Sequence, residues 1–223
     1  MIRAPALVVV AALCVGCAPE KAPVAPAPTT PAVDTSLPAE AARWFPLEDD
    51  VVLAFDTEDL VAKTRGVFML RVRRVGGGRI ELAGPKRTER LTLSTAGIMR
   101  EAEGSYLLKL PITPGATWPA GPNASLGMGR TNLSVKVKAG EFDGCVETVE
   151  RRAGAVSGTL TTTFCPNVGI VRIETKGEGN TRAKGPQGAE SAPVEIHEIV
   201  ELRSFQKAID LGPAGVTQTE VKR

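Results

Sequence analysis

The chain is poor in histidine, in net charge and in helical periodicity. Of its 223 residues only His197 is a histidine. That scarcity removes most zinc sites. It also removes the Ser-His-Asp and Cys-His nucleophile arrangements, unless His197 itself supplies the base. Lysine and arginine number 27 against 25 aspartates and glutamates, a net charge of +2. Binding nucleic acid by neutralising phosphates needs a larger basic excess, so that partner is excluded. Hydrophobic residues at 43% and charged residues at 23% form an ordinary globular balance, which rules out wholesale disorder and a collagen-like chain. The length suits one domain with accessory segments, or at most two small domains.

The amino terminus reads as a targeting signal over residues 1–16. Arg3 precedes an apolar run over 4–15 that only Pro5 interrupts. About a dozen residues cannot cross a hydrocarbon layer of roughly 30 Å as a helix, but they suit the apolar core of a signal peptide. The run ends in Leu13-Cys14-Val15-Gly16-Cys17, with small Gly16 directly before Cys17. This resembles the lipobox of bacterial lipoproteins. The resemblance implies cleavage before Cys17, acylation of its thiol (palmitate among the chains) and the membrane as the partner it holds. The lipobox leucine stands three places before the cysteine; here Cys14 occupies that place and Leu13 lies one earlier. Cys14 is the poorer acceptor, because bulky Leu13 would fill its cleavage position. Two or three acyl chains, at about 0.8 kcal/mol per buried methylene, anchor durably. Ala18, rather than aspartate, follows the cysteine. By resemblance to the lipoprotein sorting preference, this places the protein at the outer membrane, on its periplasmic face. The competing readings are an ordinary secretory signal cut after Ala18 and a buried amino-terminal helix.

Residues 17–40 hold the acylated cysteine and a spacer carrying Pro19, Pro23, Pro26, Pro28, Pro31 and Pro38. Prolines at that density forbid helix and ladder alike. The segment is expected to be a semi-extended tether of about 3.1 Å per residue, or else a leftover with no spacing role.

Residues 41–205 are expected to form one all-β domain, with 206–223 a polar tail. One short helix is expected over 39–44. Phe68, Leu70 and Val72 share one face of an alternating run that leads into Gly76-Gly77-Gly78. A hairpin centred on Gly77 sets Val72 against Leu82 and Arg74 against Ile80, which keeps the apolar residues on one face. Further runs lie at 90–95, 97–102, 105–110, 133–137, 144–151, 158–165, 169–176 and 194–205. That makes about ten strands without a helix long enough for a crossover, so the sheet must be antiparallel. The architecture is a strongly curved sheet, a sandwich or a half-barrel. The stretch 111–132 is rich in proline and glycine and is expected to be loop, as is the polar stretch 176–193.

Cys145 and Cys165 are the cysteines left once the signal is gone and Cys17 is acylated. An oxidising compartment suggests a disulfide. A hairpin centred on Ala155 places the two directly opposite, with Glu147 against Thr163 and Val149 against Thr161. The alternative is a pair of buried free thiols.

Few other residues suggest chemistry. His197, between Ile196 and Glu198, is expected to be an exposed strand residue rather than a base. Glu198 shares parity with Val194, Ile196, Val200 and Leu202, so regular pleating would bury it. A β-bulge near His197 that rotates it outward is the expected explanation, ahead of pairing with a buried arginine. Gly127-Met128-Gly129-Arg130 lacks the Lys-Ser/Thr of a phosphate loop and is expected to be loop. Glu48-Asp49-Asp50 lacks the further alternating ligands of a calcium loop and is expected to open a strand. No cofactor and no metal are expected.

Four segments resemble a family of uncharacterised bacterial envelope lipoproteins. They are Trp44-Phe45-Pro46-Leu47 before an apolar strand, and Pro111-Ile112-Thr113-Pro114-Gly115-Ala116-Thr117-Trp118. The third is Ala139-Gly140-Glu141-Phe142-Asp143-Gly144-Cys145, and the fourth Val168-Gly169-Ile170-Val171, with Glu201-Leu202 in the closing strand. The resemblance spans most of 44–205 and implies an all-β envelope domain without known catalytic residues. Trp118 and Phe142 are expected to anchor the core. The leading expectation is a lipid-anchored, non-enzymatic domain that binds an envelope protein or is structural. The second is a carrier for an apolar ligand, which requires a deep pocket lined by leucine, valine and phenylalanine. An enzyme ranks third; it requires convergent ionisable groups in a cleft.

Overall fold

A computed structural model describes residues 38–45, 48–85, 87–154, 156–182 and 191–207. The expected signal peptide 1–16, acylated Cys17, most of the spacer and nearly all of the tail lie outside the described residues. So do Pro46 and Leu47.

The elements run α1 (Ala39–Trp44), β1 (Val51–Asp59), β2 (Thr64–Gly76), β3 (Arg79–Ala83), β4 (Thr88–Ser94), β5 (Gly97–Arg100) and β6 (Ser105–Lys109). They continue with β7 (Thr117–Pro119), β8 (Ala124–Met128), β9 (Leu133–Val137), β10 (Gly140–Arg152), β11 (Val156–Cys165), β12 (Gly169–Arg182) and β13 (Ser191–Lys207). Every pairing is antiparallel. The sheet order is β6-β5-β4-β3-β2-β1-β13-β12-β11-β10-β8-β7, with β9 on β10 outside that path. Short connections join most neighbours, as hairpin pairing requires. The long-range exception is β1 against β13, where the first and last strands meet in mid-sheet. The class is therefore all-β, one strongly curved antiparallel sheet that nearly closes on itself.

Two expected registers are present. Val72 faces Leu82 and Arg74 faces Ile80 across β2 and β3. Glu147 faces Thr163 and Val149 faces Thr161 across β10 and β11. Continuing that second ladder past Val146 and Phe164 brings Cys145 to Cys165, and the two form a disulfide with Cα atoms 4.2 Å apart. Both are fully buried.

Three expectations need correction. Thirteen strands are described, not ten. The stretch 111–132 holds β7 and β8, and β8 includes Gly127 and Met128. These strands are too short and glycine-rich to announce themselves; β8 exists because β10 supplies its ladder. The expected loop 176–193 is largely strand, because β12 and β13 stay in register out to Arg182 and Ser191. Its polarity therefore does not mean missing pairing. Finally, that register is unbroken beside His197, and the bulge lies where Ala54 and Phe55 meet Ser204 and Leu202. Glu198 is exposed without a bulge of its own, for it stands where the inner face emerges from the core, two residues beyond buried Val200.

The expected opening triplet is confirmed as one. Asp50 immediately precedes β1 and its Oδ1 accepts from Arg71 Nε at 2.7 Å, while Asp49 Oδ1 accepts from the Arg74 backbone N–H at 2.8 Å. The core lines the inner face of the curl, from Leu53 and Phe55 through Leu91, Ile98 and Leu108 to Phe164 and Leu202. Helix α1 covers one end. Its Ala41, Trp44 and Phe45 are buried, and Arg43 O accepts from the Asn167 N–H of the β11–β12 turn at 2.7 Å. Gly169, at φ +95°, belongs to the same contact; a Cβ there would lie 3.6 Å from the Phe45 ring. Trp118 is a buried anchor as expected, whereas Phe142 is only partly buried against the core. Trp118 also bridges the free edges of the sheet, since its Nε1–H donates to Tyr106 O of β6 at 2.7 Å.

Among the described residues no helix is long and apolar enough to cross a membrane.

Candidate functional site

Alternation along β11, β12 and β13 turns Leu160, Thr162, Ile173, Thr175 and Ile196 toward the inside of the curl. Across from them, β3 and the β5–β6 hairpin contribute Leu82, Arg100 and Leu107. Between these walls lies a solvent-open cavity of about 990 Å³, whose lining reaches Arg152, Ser157 and Gly158 beside the β10–β11 turn, at the other end of β11 from the turn that α1 contacts. Its described lining holds neither valine nor phenylalanine, in contrast to the expected carrier pocket. Leucine, isoleucine and threonine form one wall, and charged groups interrupt the other.

Gly158 and Gly177 make part of the neutral wall bare. They stand opposite each other in the β11–β12 ladder. A Cβ on Gly158 would lie 2.3 Å from Lys176 O, and one on Gly177 would lie 2.3 Å from Ser157 O. Neither collision is with a movable side chain, so both positions demand glycine.

The charged wall is organised around Arg100. Its Nη1 reaches Glu103 Oε2 at 2.9 Å and Glu150 Oε2 at 3.1 Å, and its Nε lies 3.4 Å from Glu89 Oε1. Glu150, with only 2% of its side chain exposed, also accepts from Arg152 Nε. Burial works against the charge on Arg100, but the hydrogen bond it donates to Glu103 and the charge of Glu150 outweigh it and raise the guanidinium pKa. Burial likewise pushes Glu103 up, and hydrogen bonding and charge from Arg100 bring it below the ordinary glutamate value. Among the described residues, no buried side-chain nitrogen or oxygen lacks a hydrogen-bond partner. The ionic network is therefore internally satisfied, and it leaves the leucine and isoleucine surface as the unoccupied part of the cavity.

A second cleft, of about 250 Å³, lies between β9 and the strands β10–β12. Arg130 holds Glu147 there with two bonds, Nε to Oε2 at 2.8 Å and Nη2 to Oε1 at 2.7 Å. His197 lines neither cavity. Its Nε2 lies 3.1 Å from Glu174 Oε1, which Lys176 Nζ also approaches at 2.7 Å. Glu174 is held below the usual glutamate pKa by the Lys176 hydrogen bond, against burial and with help from His197. Among the described residues no group of three or more His, Cys, Asp or Glu side chains could hold a metal.

The structure thus joins Cys145 to Cys165 as expected; His197 and Glu198 line neither cavity, although His197 bonds to Glu174 of the second cleft and Glu198 pairs with Thr175 of the first. The Arg100 network was not foreseen. One signal for it existed, because Glu150 shares parity with Val146 and Thr148 in the strand whose register the cysteines define.

No protein-family model matches the chain, and no curated protein matches it. Similar solved structures include a "putative exported protein with YmcC-like fold" from Bacteroides fragilis. It is 14% identical, with 72% of this chain and 97% of that chain covered and a TM-score of 0.39. Another is a "putative lipoprotein" from Parabacteroides distasonis, 13% identical, with coverages of 71% and 96% and a TM-score of 0.36. Likenesses of that size define neither a shared family nor a shared activity.

Proposed function

We propose that the chain is an exported lipoprotein of the bacterial envelope, fastened through acylated Cys17, whose β-domain takes the apolar part of a ligand into its cavity. The observation that carries this reading is the cavity of about 990 Å³ with a leucine and isoleucine wall. That volume lies at the upper end of the range of about 300–1,000 Å³ usual for small-molecule sites. A domain with a purely structural role would be expected to fill its centre, because empty apolar volume costs stability. A carrier or binding module is therefore favoured over a scaffold. Arg100, Arg152, Glu89, Glu103 and Glu150 pair with one another beside the other wall, which suits positioning and strength better than acid–base work, so the reading is non-enzymatic. Placement on the periplasmic face of the outer membrane rests on Cys17 and Ala18.

Native mass spectrometry of the protein extracted from its own envelope tests the cavity. A co-purified apolar molecule is expected, and Leu160→Trp, which fills the neutral wall, is expected to lose it. A wild-type protein carrying no mass beyond its own acylated chain overturns the reading. Cys17→Ser tests the anchor separately, with the protein expected to leave the membrane fraction.

A further inference from the structure

The cavity opens at an end of the sheet that exposes apolar side chains to solvent. Leu60 and Val61, in the turn between β1 and β2, are 38% and 44% exposed, and Val194 near the start of β13 is 39% exposed. The three belong to one end. The Leu60 N–H donates to His197 O at 2.9 Å, which seats the turn beside β13. Val194 pairs with Gly179, two positions beyond the Ile196–Gly177 pair of the cavity wall. The turn is held in shape, because Asp59 Oδ1 accepts from the N–H groups of Val61 at 2.9 Å and Ala62 at 2.8 Å. Leu60 and Val61 are therefore presented on a defined tip instead of folding back onto the sheet. Lys63 follows them in the same turn, and Arg87 lines the cavity.

We propose that this rim docks on a lipid bilayer, and that the cavity's ligand is an acyl chain drawn from that bilayer through the mouth. The inference rests on the cavity reading above. The rim carries acids too, with Glu195 next to Val194 and opposite Glu178, so the match to a bilayer surface lies in the exposed apolar side chains, with Lys63 and Arg87 as the basic groups that would meet phosphate. Reach supports the same occupant. The mouth lies opposite the end covered by α1, where the described chain begins. A strand of 13 residues such as β10 is about 43 Å long. The residues from Cys17 to Pro38 span up to about 70 Å when fully extended. A domain anchored at Cys17 can therefore turn its mouth onto the bilayer that holds it. An acyl chain leaving that bilayer would pass from hydrocarbon to the leucine and isoleucine wall with little exposure to water.

The test uses the full mature chain carrying Cys17→Ser, so that docking is read without the anchor. The probe is 11-dansylaminoundecanoic acid. It is offered in two ways, as monomer in water and preloaded in dioleoylphosphatidylcholine vesicles, and uptake is read from dansyl fluorescence. The wild-type rim is expected to load from both sources. Leu60→Ser with Val61→Ser is expected to load normally from water but at least tenfold more slowly from vesicles. Val194→Asp, on a different element, is expected to behave likewise; normal uptake from water shows that each variant is folded. Rim variants that load from vesicles at the wild-type rate overturn the docking proposal, assign the rim to a protein partner and leave the cavity reading intact. No uptake by the unaltered rim from either source overturns both.

Discussion

Arg100 Nη1 meets Glu150 Oε2 at 3.1 Å across the interior, although fifty positions separate them in the chain. Their strands, β5 and β10, stand near opposite ends of the sheet path. The pair therefore works as a clasp between the two edges, alongside the Trp118–Tyr106 hydrogen bond. It is well shielded, with 12% of the Arg100 side chain and 2% of the Glu150 side chain exposed.

Breaking a buried pair by removing one partner costs about 3–5 kcal/mol, since the other charge stays buried. Arg100→Met leaves Glu150 to Arg152 alone and should lower unfolding free energy in urea by about 3 kcal/mol. Adding Glu150→Leu should recover part of that loss. A loss under about 1 kcal/mol for Arg100→Met would show that the edges are held elsewhere.

The Cys145–Cys165 bridge spans a sequence separation of 20. Closing a loop of that size is worth about 3 kcal/mol in the chain-entropy model. Urea unfolding with and without reductant should differ by about that much, and alanine at both positions should reproduce the reduced protein. Alkylation of the unreduced protein in denaturant should label neither residue, whereas buried free thiols would both be exposed and react; labelling of both would refute the bond.

Acid should weaken the fold through particular carboxylates. Asp56 is held below its ordinary value by the hydrogen bond from Lys138, against burial and with help from Arg203. Glu174 is held down by Lys176 and His197, and Glu103 by Arg100. A depressed native pKa contributes stability that is complete above the unfolded carboxylate values of about 3.9–4.3. That contribution disappears as pH falls through the lower native values. Glu174→Gln should accordingly be less stable than the wild type at neutral pH and converge with it in strong acid. Urea midpoints at both pH values check this; an unchanged difference in acid would assign the effect to packing.

The hairpins were legible because their information is local. Val72 and Leu82, and Cys145 and Cys165, each lie on strands joined by a short turn, where period-two alternation permits one register. β7 and β8 were not legible. Thr117-Trp118-Pro119 is too short to show a period, and Ala124–Met128 forms a ladder through β10, whose paired residues lie about two dozen places further on. The outer ends of β12 and β13 escaped notice because their sequence shows no apolar alternation, although the backbone ladder continues through them. Of the leucine, valine and phenylalanine expected in a carrier pocket, the described lining has leucine only, joined by isoleucine, threonine and a salt-bridge network, because interior faces from distant strands combine there.

Alternation, turn residues and cysteine spacing were enough to specify an antiparallel all-β domain, two hairpin registers and the position of its disulfide. These are properties of neighbouring segments, and steric and pleating rules act on them directly. The curl, the cavity and the Arg100–Glu150 clasp arose elsewhere. They depend on β1 inserting beside β13 and on the two sheet edges approaching, and no local pattern encodes how far a sheet must bend before its ends meet.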